Sequence, residues 1–204
     1  MRAGARAATA GAAIVAGAAL WWRAHPSACP YGQRFWVEAP HPFITRGRLR
    51  EALRPQAGET VLEVGPGTGY YSLRVAEWLQ PGGALHVFDL QQEMLDHTLR
   101  AAGEAGLTNV VPRQCDARSL PYQDDSFDAA FLVTVLGEIP DQAAALRELR
   151  RVVKPGGRIV VGELFGDPHM VTHGALRDRA SEAGLSVERK LGGTLWHFTR
   201  LQPI

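Results

Sequence analysis

The feature that most constrains the fold is an alternation, from Glu59 onwards, of short apolar runs with amphipathic stretches of helical length. Apolar runs of about four to eight residues between turn residues are typical of strands, and apolar residues at a spacing of three or four are typical of helices. The predicted strands of this part are Val61–Val64, Ala84–Phe88, Asn109–Gln114, Phe127–Val135 and Arg158–Leu164. The run Lys154–Gly157 (KPGG) is predicted to separate the last of these strands from the helix before it. A strand–helix–strand order places consecutive strands in parallel, with helices on both faces of one sheet.

The end of the chain departs from this alternation. After a helical stretch at Thr172–Ala183, two further strands, Ser186–Leu191 and Thr194–Leu201, are joined at Gly192-Gly193. Strands with so short a connection pair in antiparallel fashion. The predicted fold class is therefore α/β: a Rossmann-like, doubly wound, seven-stranded sheet, mostly parallel with an antiparallel C-terminal hairpin.

Composition divides the chain into three parts. Residues 1–24 are an apolar N-terminal segment and a candidate membrane anchor. Residues 25–57 are a proline-rich connector and a short helix that are expected to cover the site, and residues 58–204 are the main domain. A chain of 204 residues is long enough for one well-buried domain and too short for two ordinary ones.

The uncharged run Ala7–Trp22 lies between basic residues and ends in two tryptophans. Its 16 residues fall short of the roughly 20 that cross a bilayer as a helix. Three interpretations stay open: a helix that associates with a membrane through interfacial tryptophans, a helix that lies on the protein surface or frays, and a cleaved signal peptide. We carry the first forward as the leading hypothesis.

Charge and cysteine content argue against several classes of function. Lys and Arg number 22 against 21 Asp and Glu, a formal net charge of +1, and no basic cluster provides a local field that would gather nucleic acid. The two cysteines, Cys29 and Cys115, lack the spacing of metal ligands and cannot form a disulfide framework. We therefore expect no nucleic-acid partner and no bound metal.

A glycine-rich turn, Glu63–Gly69 (EVGPGTG), follows the first predicted strand and opens the first helix. Glycine lets the backbone turn sharply and lets a ligand approach it closely. The dinucleotide fingerprint G-x-G-x-x-G has its third glycine where this chain has Tyr70. A bulky side chain there favours a ligand without a pyrophosphate, an adenosyl compound rather than NAD. A tight turn without any ligand is the alternative.

Two acids follow at the ends of the next two strands. Asp89 lies about 20 residues beyond the glycines, where a carboxylate can accept hydrogen bonds from both hydroxyls of a ribose. Its alternative role is to cap the helix that starts at Gln91. Asp116 and Ala117 are placed to meet the edge of an adenine ring, through the carboxylate and the backbone N–H respectively. For Asp116, a loop carboxylate without a ligand is the alternative.

Four segments place these residues in a known pattern: ETVLEVGPGTGYYS, HVFDLQQEML, CDARSLPYQDDSFDAAFLVTVLGEIPD and LRELRRVVKPGGRIVVGE. In order and spacing they resemble the motifs of class I S-adenosylmethionine-dependent methyltransferases, over residues 59 to about 164. The resemblance is closest to quinone-biosynthesis C-methyltransferases and short bacterial phosphatidylethanolamine N-methyltransferases. It implies a seven-stranded sheet whose last pair is antiparallel, and S-adenosylmethionine as the cofactor.

The resemblance also implies a role for each matching residue. Four residues of the turn would hold the methionine part of the cofactor: Glu63, Gly65, Gly67 and Gly69. Asp89 would hold the ribose. The adenine would be flanked by Leu90 and Met94, with its edge on Asp116 and Ala117. Thr134 would lie near the transferred methyl group. The segment Thr134–Pro140 (TVLGEIP) departs from the nearest relatives, so the resemblance does not extend to the acceptor.

These motifs do not define a catalytic residue. Methyl transfer from a sulfonium needs a general base only if the acceptor loses a proton. Glu138, after the fourth strand, and His41, in the connector, are two weak candidates, and their alternatives are a solvated loop acid and a structural histidine. Asp167, His169 and His173 have a spacing related to that of metal ligands, but Pro168 interrupts it and no third strong ligand is evident.

The sequence thus predicts an S-adenosylmethionine-dependent methyltransferase that acts on a small-molecule or lipid-like acceptor. Because the cofactor is a cytosolic metabolite, we expect the catalytic domain to face the cytoplasm, attached to the membrane if Ala7–Trp22 is an anchor. The alternative is a membrane-tethered S-adenosylmethionine-binding protein without turnover. The sequence does not determine the acceptor, the methylated atom or the oligomeric state.

Overall fold

The computed structural model describes residues 26–33 and 42–204. They contain one seven-stranded sheet, with strands β1 Thr60–Val64, β2 Ala84–Asp89, β3 Val110–Gln114, β4 Phe127–Val133, β5 Val153–Leu164, β6 Leu185–Gly192 and β7 Trp196–Pro203. The spatial order is β3-β2-β1-β4-β5-β7-β6. The first five strands are parallel, and β7 pairs antiparallel with both β5 and β6. This confirms the predicted fold class.

Five α-helices of the described residues pack on this sheet, and side-chain caps mark the start of three of them. Their bounds are α1 Arg46–Leu53, α2 Ser72–Trp78, α3 Gln92–Glu104, α4 Gln142–Val152 and α5 His173–Glu182. The side chains of Thr45, Asp141 and Thr172 accept hydrogen bonds from backbone N–H groups in the first turns of α1, α4 and α5. Each cap satisfies a donor that has no partner inside the helix.

Two apolar clusters form the core, one on each face of the sheet. The first includes Leu146 and Leu149 of α4, and the second includes Val75 of α2 and Leu95 of α3. Strand β4 runs between the clusters and is buried along its whole length except at Asp128. An apolar strand covered on both faces is what the near-continuous apolar run predicted.

One predicted break was wrong. Lys154–Gly157 was expected to separate helix from strand, but β5 already begins at Val153 and runs through these residues. The pairing with β4 shifts register between Phe127 and Ala129, which is a bulge. Gly156 has a φ of +78°, and a Cβ on Gly157 would lie 2.8 Å from the Asp128 carbonyl oxygen. The two glycines therefore let the strand bend without ending it.

The order of the strands reverses between β1 and β4, so the connections that leave these neighbours run to opposite faces of the sheet. In open α/β sheets, a ligand crevice lies at such a reversal, outside the carboxyl ends of the strands. The predicted anchor Ala7–Trp22 lies outside the described residues. Within residues 26–33 and 42–204, no helix is long and apolar enough to span a bilayer.

Candidate active site

A cavity of about 230 Å³ opens at the carboxyl ends of β1, β2 and β4. Most residues predicted to bind a cofactor line it: Gly65, Gly67, Asp89, Leu90, Met94, Asp116, Ala117 and Thr134. Two do not, since Glu63 and Gly69 lie behind this surface. The catalytic candidate Glu138 also lines the cavity, whereas His41 lies outside the described residues. The fold thus brings together side chains that are far apart in sequence.

The glycine turn is a left-handed backbone segment held at both ends. Gly65, Gly67 and Gly69 have φ angles of +66°, +57° and +86°. The Gly65 N–H donates to the Phe88 carbonyl oxygen at 2.9 Å, and the Thr98 hydroxyl donates to the Gly67 carbonyl oxygen at 3.1 Å. Residues other than glycine rarely adopt these angles. The pattern G-x-G-x-G therefore encodes the backbone path of the cavity wall.

Space around Gly65 is as restrictive as its backbone. A Cβ added there would lie 2.7 Å from Cγ2 of Val135, which itself lines the cavity. By contrast, a Cβ on Gly69 would meet Thr98 at ordinary contact distance. Unlike one at Gly69, a side chain at Gly65 would thus displace a neighbour in the cavity wall.

Glu63 is a buried acid at the end of β1, directly before the turn. Its side chain is 2% exposed, and Oε2 has no hydrogen-bond partner among the described residues. Burial raises the pKa of this carboxyl to about 8. A buried oxygen without a partner is costly, so the site is suited to a cation or donor that approaches the turn.

Asp89 already has one role in the structure. Its Oδ1 accepts the Gln91 N–H at 2.9 Å, directly before α3. This is the local cap that the sequence left as an alternative to ribose binding. A carboxylate has two oxygens with several lone pairs, so the cap leaves acceptor capacity on a residue that lines the cavity. Burial raises the pKa of Asp89 above its usual range.

Asp116 lies at the rim and is engaged by Arg118. The guanidinium contacts both carboxylate oxygens at 2.6–3.1 Å, and the Arg118 N–H donates to Oδ1 at 2.8 Å. This partner lowers the pKa of Asp116. The predicted contact with an adenine amine therefore requires Arg118 to release one oxygen, and the role of Asp116 stays a prediction.

Thr134 follows β4 in a conformation that is unusual for a β-branched residue. Its φ is +55°, its N–H donates to the Gly162 carbonyl oxygen at 2.8 Å, and its hydroxyl donates to the Val133 carbonyl oxygen at 2.7 Å. A left-handed β-branched residue costs roughly 1–3 kcal/mol and persists only where its surroundings impose it. Backbone strain thus coincides with the part of the cavity where the resemblance places the transferred methyl group.

Glu138 is not the solvated loop acid that the sequence offered as its alternative. It lies at the end of a short 3-10 helix, Leu136–Glu138, and its Oε2 accepts the Cys29 N–H at 3.3 Å. Burial is the main cause that raises its pKa to about 8, and the nearby acids Asp167 and Asp89 add to the shift. An acid of this kind can exchange a proton near neutral pH.

Gly137 explains how Asp167 comes near Glu138. A Cβ on Gly137 would lie 1.8 Å from the His169 carbonyl oxygen, so only glycine lets the loop after β5 pack on the 3-10 helix. The same loop is held from below, where the Val171 N–H donates to buried Glu163 and the Val171 carbonyl oxygen lies 3.1 Å from Nε2 of His197. These contacts hold the loop that carries Asp167 beside Glu138, whose pKa Asp167 helps to raise.

Residues Pro26–Cys29 form a wall of the cavity that sequence reasoning did not assign to individual residues. Gln91 holds this segment, since its Nε2 donates to the Cys29 carbonyl oxygen at 2.9 Å and its Oε1 accepts the Tyr31 N–H at 3.0 Å. The many prolines and aromatics of the connector were a signal that it packs on the domain. Nothing in the sequence distinguished Gln91 from other surface glutamines.

The chain matches known proteins over its central part. Residues 61–157 match the family described as "Methyltransferase domain". The ubiquinone/menaquinone biosynthesis C-methyltransferase of Cellvibrio japonicus is 37% identical over 122 residues, which are 58% of this chain and 48% of that protein. The chain thus spans about half the length of the curated relatives it matches.

These matches confirm the predicted resemblance to class I S-adenosylmethionine-dependent methyltransferases over the central part of the chain. Among solved structures, an S-adenosylmethionine-dependent methyltransferase from Aquifex aeolicus superposes with a TM-score of 0.80 over 87% of this chain and all of that one, at 19% identity. The cyclase SpnF superposes with a TM-score of 0.69 over 78% of this chain and 79% of its own, at 20% identity. At such identities the likeness shows the fold.

The comparisons support S-adenosylmethionine as the cofactor, and residues of the cavity are suited to parts of it. The spare acceptor capacity of Asp89, which lines the cavity, suits ribose hydroxyls. Glu63 lies buried behind the glycine turn, and its Oε2 has no hydrogen-bond partner among the described residues. Exposed Leu90 and buried Met94 provide apolar surface beside Asp89, on the way to Asp116 and Ala117. The predicted residue roles are thus compatible with the geometry and stay predictions.

Asp89 provides a test that separates its two roles. We expect Asp89→Ala to weaken S-adenosylmethionine binding at least about tenfold, because hydrogen bonds to a charged acceptor contribute roughly 1.5–3 kcal/mol each. Asp89→Asn keeps an oxygen for the Gln91 N–H but loses the charge, so we expect weaker binding with unchanged thermal stability. Titration calorimetry and thermal unfolding measure the two effects. Full affinity in both variants would leave Asp89 as a helix cap alone.

Proposed function

We propose that this protein transfers the methyl group of S-adenosylmethionine to a small, lipid-like acceptor. The observation that carries the proposal is the convergence on one cavity of the left-handed glycine turn, Asp89 and the half-buried acid Glu138. The first two suit the cofactor. The third lies beyond Thr134, in the 3-10 helix that follows β4, where an acceptor would enter. A site that suits S-adenosylmethionine thus lies beside a carboxyl group, that of Glu138, which can take a proton from the acceptor.

When bound, S-adenosylmethionine supplies a methyl group on a sulfonium sulfur, which keeps the electron pair of the broken bond. The glycine turn and Asp89 would hold that methyl toward the end of β4, and holding two reactants in line can supply about 7–11 kcal/mol of the barrier reduction. For an acceptor that must lose a proton, the Glu138 carboxylate would take it as the new bond to the methyl forms. Pro26–Cys29, which line the cavity, would exclude water.

A lipid-like acceptor is favoured by three features. Apolar side chains of Val133, Val135 and Ile139 line the cavity around Glu138. The relative from Cellvibrio japonicus is named for ubiquinone/menaquinone biosynthesis. The run Ala7–Trp22 has the composition of a membrane-associating helix, which would bring the cytoplasmic face of a membrane to the domain. Quinone-like rings and phospholipid head groups are the classes of acceptor that fit this proposal.

Methyl transfer can be measured without knowing the acceptor. The full-length protein would be incubated with methyl-labelled S-adenosylmethionine and with lipid and metabolite extracts. We expect label in an apolar fraction together with an equal amount of S-adenosylhomocysteine. Cofactor binding without any release of S-adenosylhomocysteine would support the alternative, a binding protein without turnover. Label confined to polar metabolites would contradict the lipid-like acceptor but not the methyl transfer.

A further inference from the structure

Exposed apolar side chains gather on one side of the sheet edge that carries the cavity. Among the described residues, Phe165 is 69% exposed, Leu195 54% and Phe43 45%. Phe165 follows β5, and Leu195 precedes β7 in the hairpin that pairs with it. Side chains of this size are seldom left exposed together on a soluble surface without a partner.

These three residues form one surface, which we name the apolar patch. The Phe165 N–H donates to the Leu195 carbonyl oxygen at 2.6 Å. Arg48 links the third member, because its guanidinium lies 4.2 Å from the centre of the Trp196 ring and donates to the Phe43 carbonyl oxygen. The patch is thus continuous from the end of β5, across the hairpin, to the start of α1.

The edge of the apolar patch is positively charged. Arg46 donates to the Tyr70 carbonyl oxygen at 2.8 Å, and Arg48 donates to backbone carbonyls. Within the part of the chain that the structure describes, neither arginine forms an ion pair. Two uncompensated guanidinium groups beside exposed aromatic and aliphatic side chains are complementary to an anionic lipid surface.

The chain outside the described residues leads to the same edge. The apolar run Ala7–Trp22 ends four residues before Pro26, which lines the cavity. Four residues span at most about 14 Å, so a bilayer that holds this run would lie against the cavity side of the domain. Asp167 is only two positions beyond Phe165, and its charge helps to raise the pKa of Glu138, which lines the cavity.

We propose that the apolar patch, Phe43, Phe165 and Leu195 with Arg46 and Arg48, docks the domain on an anionic membrane surface with the cavity mouth toward the lipid. This inference rests on the proposed lipid-like acceptor and adds the orientation in which the acceptor is reached. The apolar side chains would enter the interfacial region, and the arginines would lie at the level of the head groups.

The test is partitioning of the full-length protein onto vesicles, with a matched pair of double variants. We expect the wild type to bind phosphatidylcholine vesicles that contain phosphatidylglycerol more strongly than phosphatidylcholine alone. The Phe165→Asp, Leu195→Asp variant is expected to bind roughly 10–100-fold more weakly, since two exposed apolar side chains lose their burial. The control, Val111→Asp with Ile204→Asp, makes the same charge change at exposed positions on the edge strand β3 and at the chain end, and is expected to bind like wild type.

Measuring S-adenosylmethionine affinity and turnover distinguishes a loss of membrane docking from a loss of the site itself. Both double variants are expected to keep wild-type affinity for S-adenosylmethionine and wild-type turnover of a detergent-soluble acceptor. Wild-type partitioning of the patch variant, or equal loss in the control, would overturn the docking surface and leave the proposed function intact. If the substitutions to Asp lower the melting temperature, Phe165→Ser with Leu195→Ser replaces them in the same comparison. Intact docking without release of S-adenosylhomocysteine would overturn the proposed function instead.

Discussion

A Gly65→Ala variant is expected to bind S-adenosylmethionine at least about 100-fold more weakly than the wild-type protein. Its Cβ would lie 2.7 Å from the Val135 side chain, and its φ of +66° is strained for alanine. The turn must therefore shift within the cavity wall, and a displacement of about 1 Å in a positioned site can cost on the order of 100-fold. Titration calorimetry measures the affinity, and release of S-adenosylhomocysteine measures the consequence for turnover.

Gly58→Ala is the matched control for Gly65→Ala. Gly58 has a φ of +86°, but a Cβ there would meet nothing within 4 Å, and the residue does not line the cavity. We expect it to lose stability of about 1–2 kcal/mol from the left-handed backbone and to keep its cofactor affinity. Adding Val135→Ala to Gly65→Ala should recover part of the binding. Wild-type affinity in Gly65→Ala would show that the glycine turn does not contact the cofactor.

A Glu138→Gln variant is expected to lose about 100-fold in kcat at pH 8–9 with an acceptor that must release a proton. The acid acts as a base only when ionised, and burial raises its pKa to about 8. Wild-type turnover should therefore rise with pH up to a plateau, with a midpoint at or below about 8, since a bound sulfonium cation favours the carboxylate. The amide of the variant cannot ionise, and its residual rate should lack this step.

The control for Glu138→Gln is Glu182→Gln, which neutralises an exposed acid outside the cavity. It is expected to keep both the rate and the pH profile. In Glu138→Gln the Cys29 N–H can still donate to the oxygen of the new side-chain amide, so the wall should stay in place. A Glu138→Gln variant with the wild-type rate and an unchanged pH profile would assign Glu138 to holding the Cys29 segment rather than to proton transfer.

Prediction from sequence succeeded where local rules act. The alternation of strands and helices follows from periodicity, and the paired Gly192-Gly193 connection predicted the antiparallel hairpin that β6 and β7 form. The break expected at Lys154–Gly157 failed because Gly-Gly and Pro-Gly signals mark a bulge as well as a turn. Which of the two occurs depends on whether a neighbouring strand, here β4, is there to pair.

The candidate site was predicted in part for the same reason. The glycine turn and Asp89 were predicted because each directly follows a predicted strand. A strand and the turn after it are recognised from a few neighbouring residues. The partners of Asp89 and Asp116 were not predictable, because a carboxylate at a strand end is equally suited to a ligand, a helix cap or an arginine. Tertiary contacts choose among these, and here both acids have local partners before any ligand is present.

The sequence by itself determined the class of fold and the glycine turn, since these depend on periodicity and on φ angles that only glycine adopts readily. Its resemblance to methyltransferases implied the cofactor. Only the tertiary structure decided that Glu138 is half-buried, that Pro26–Cys29 form a wall of the cavity, and that Phe43, Phe165 and Leu195 share one surface. Cys29 and Glu138 are 109 positions apart. Desolvation and contact at such a separation depend on how whole elements pack, and no local pattern encodes them.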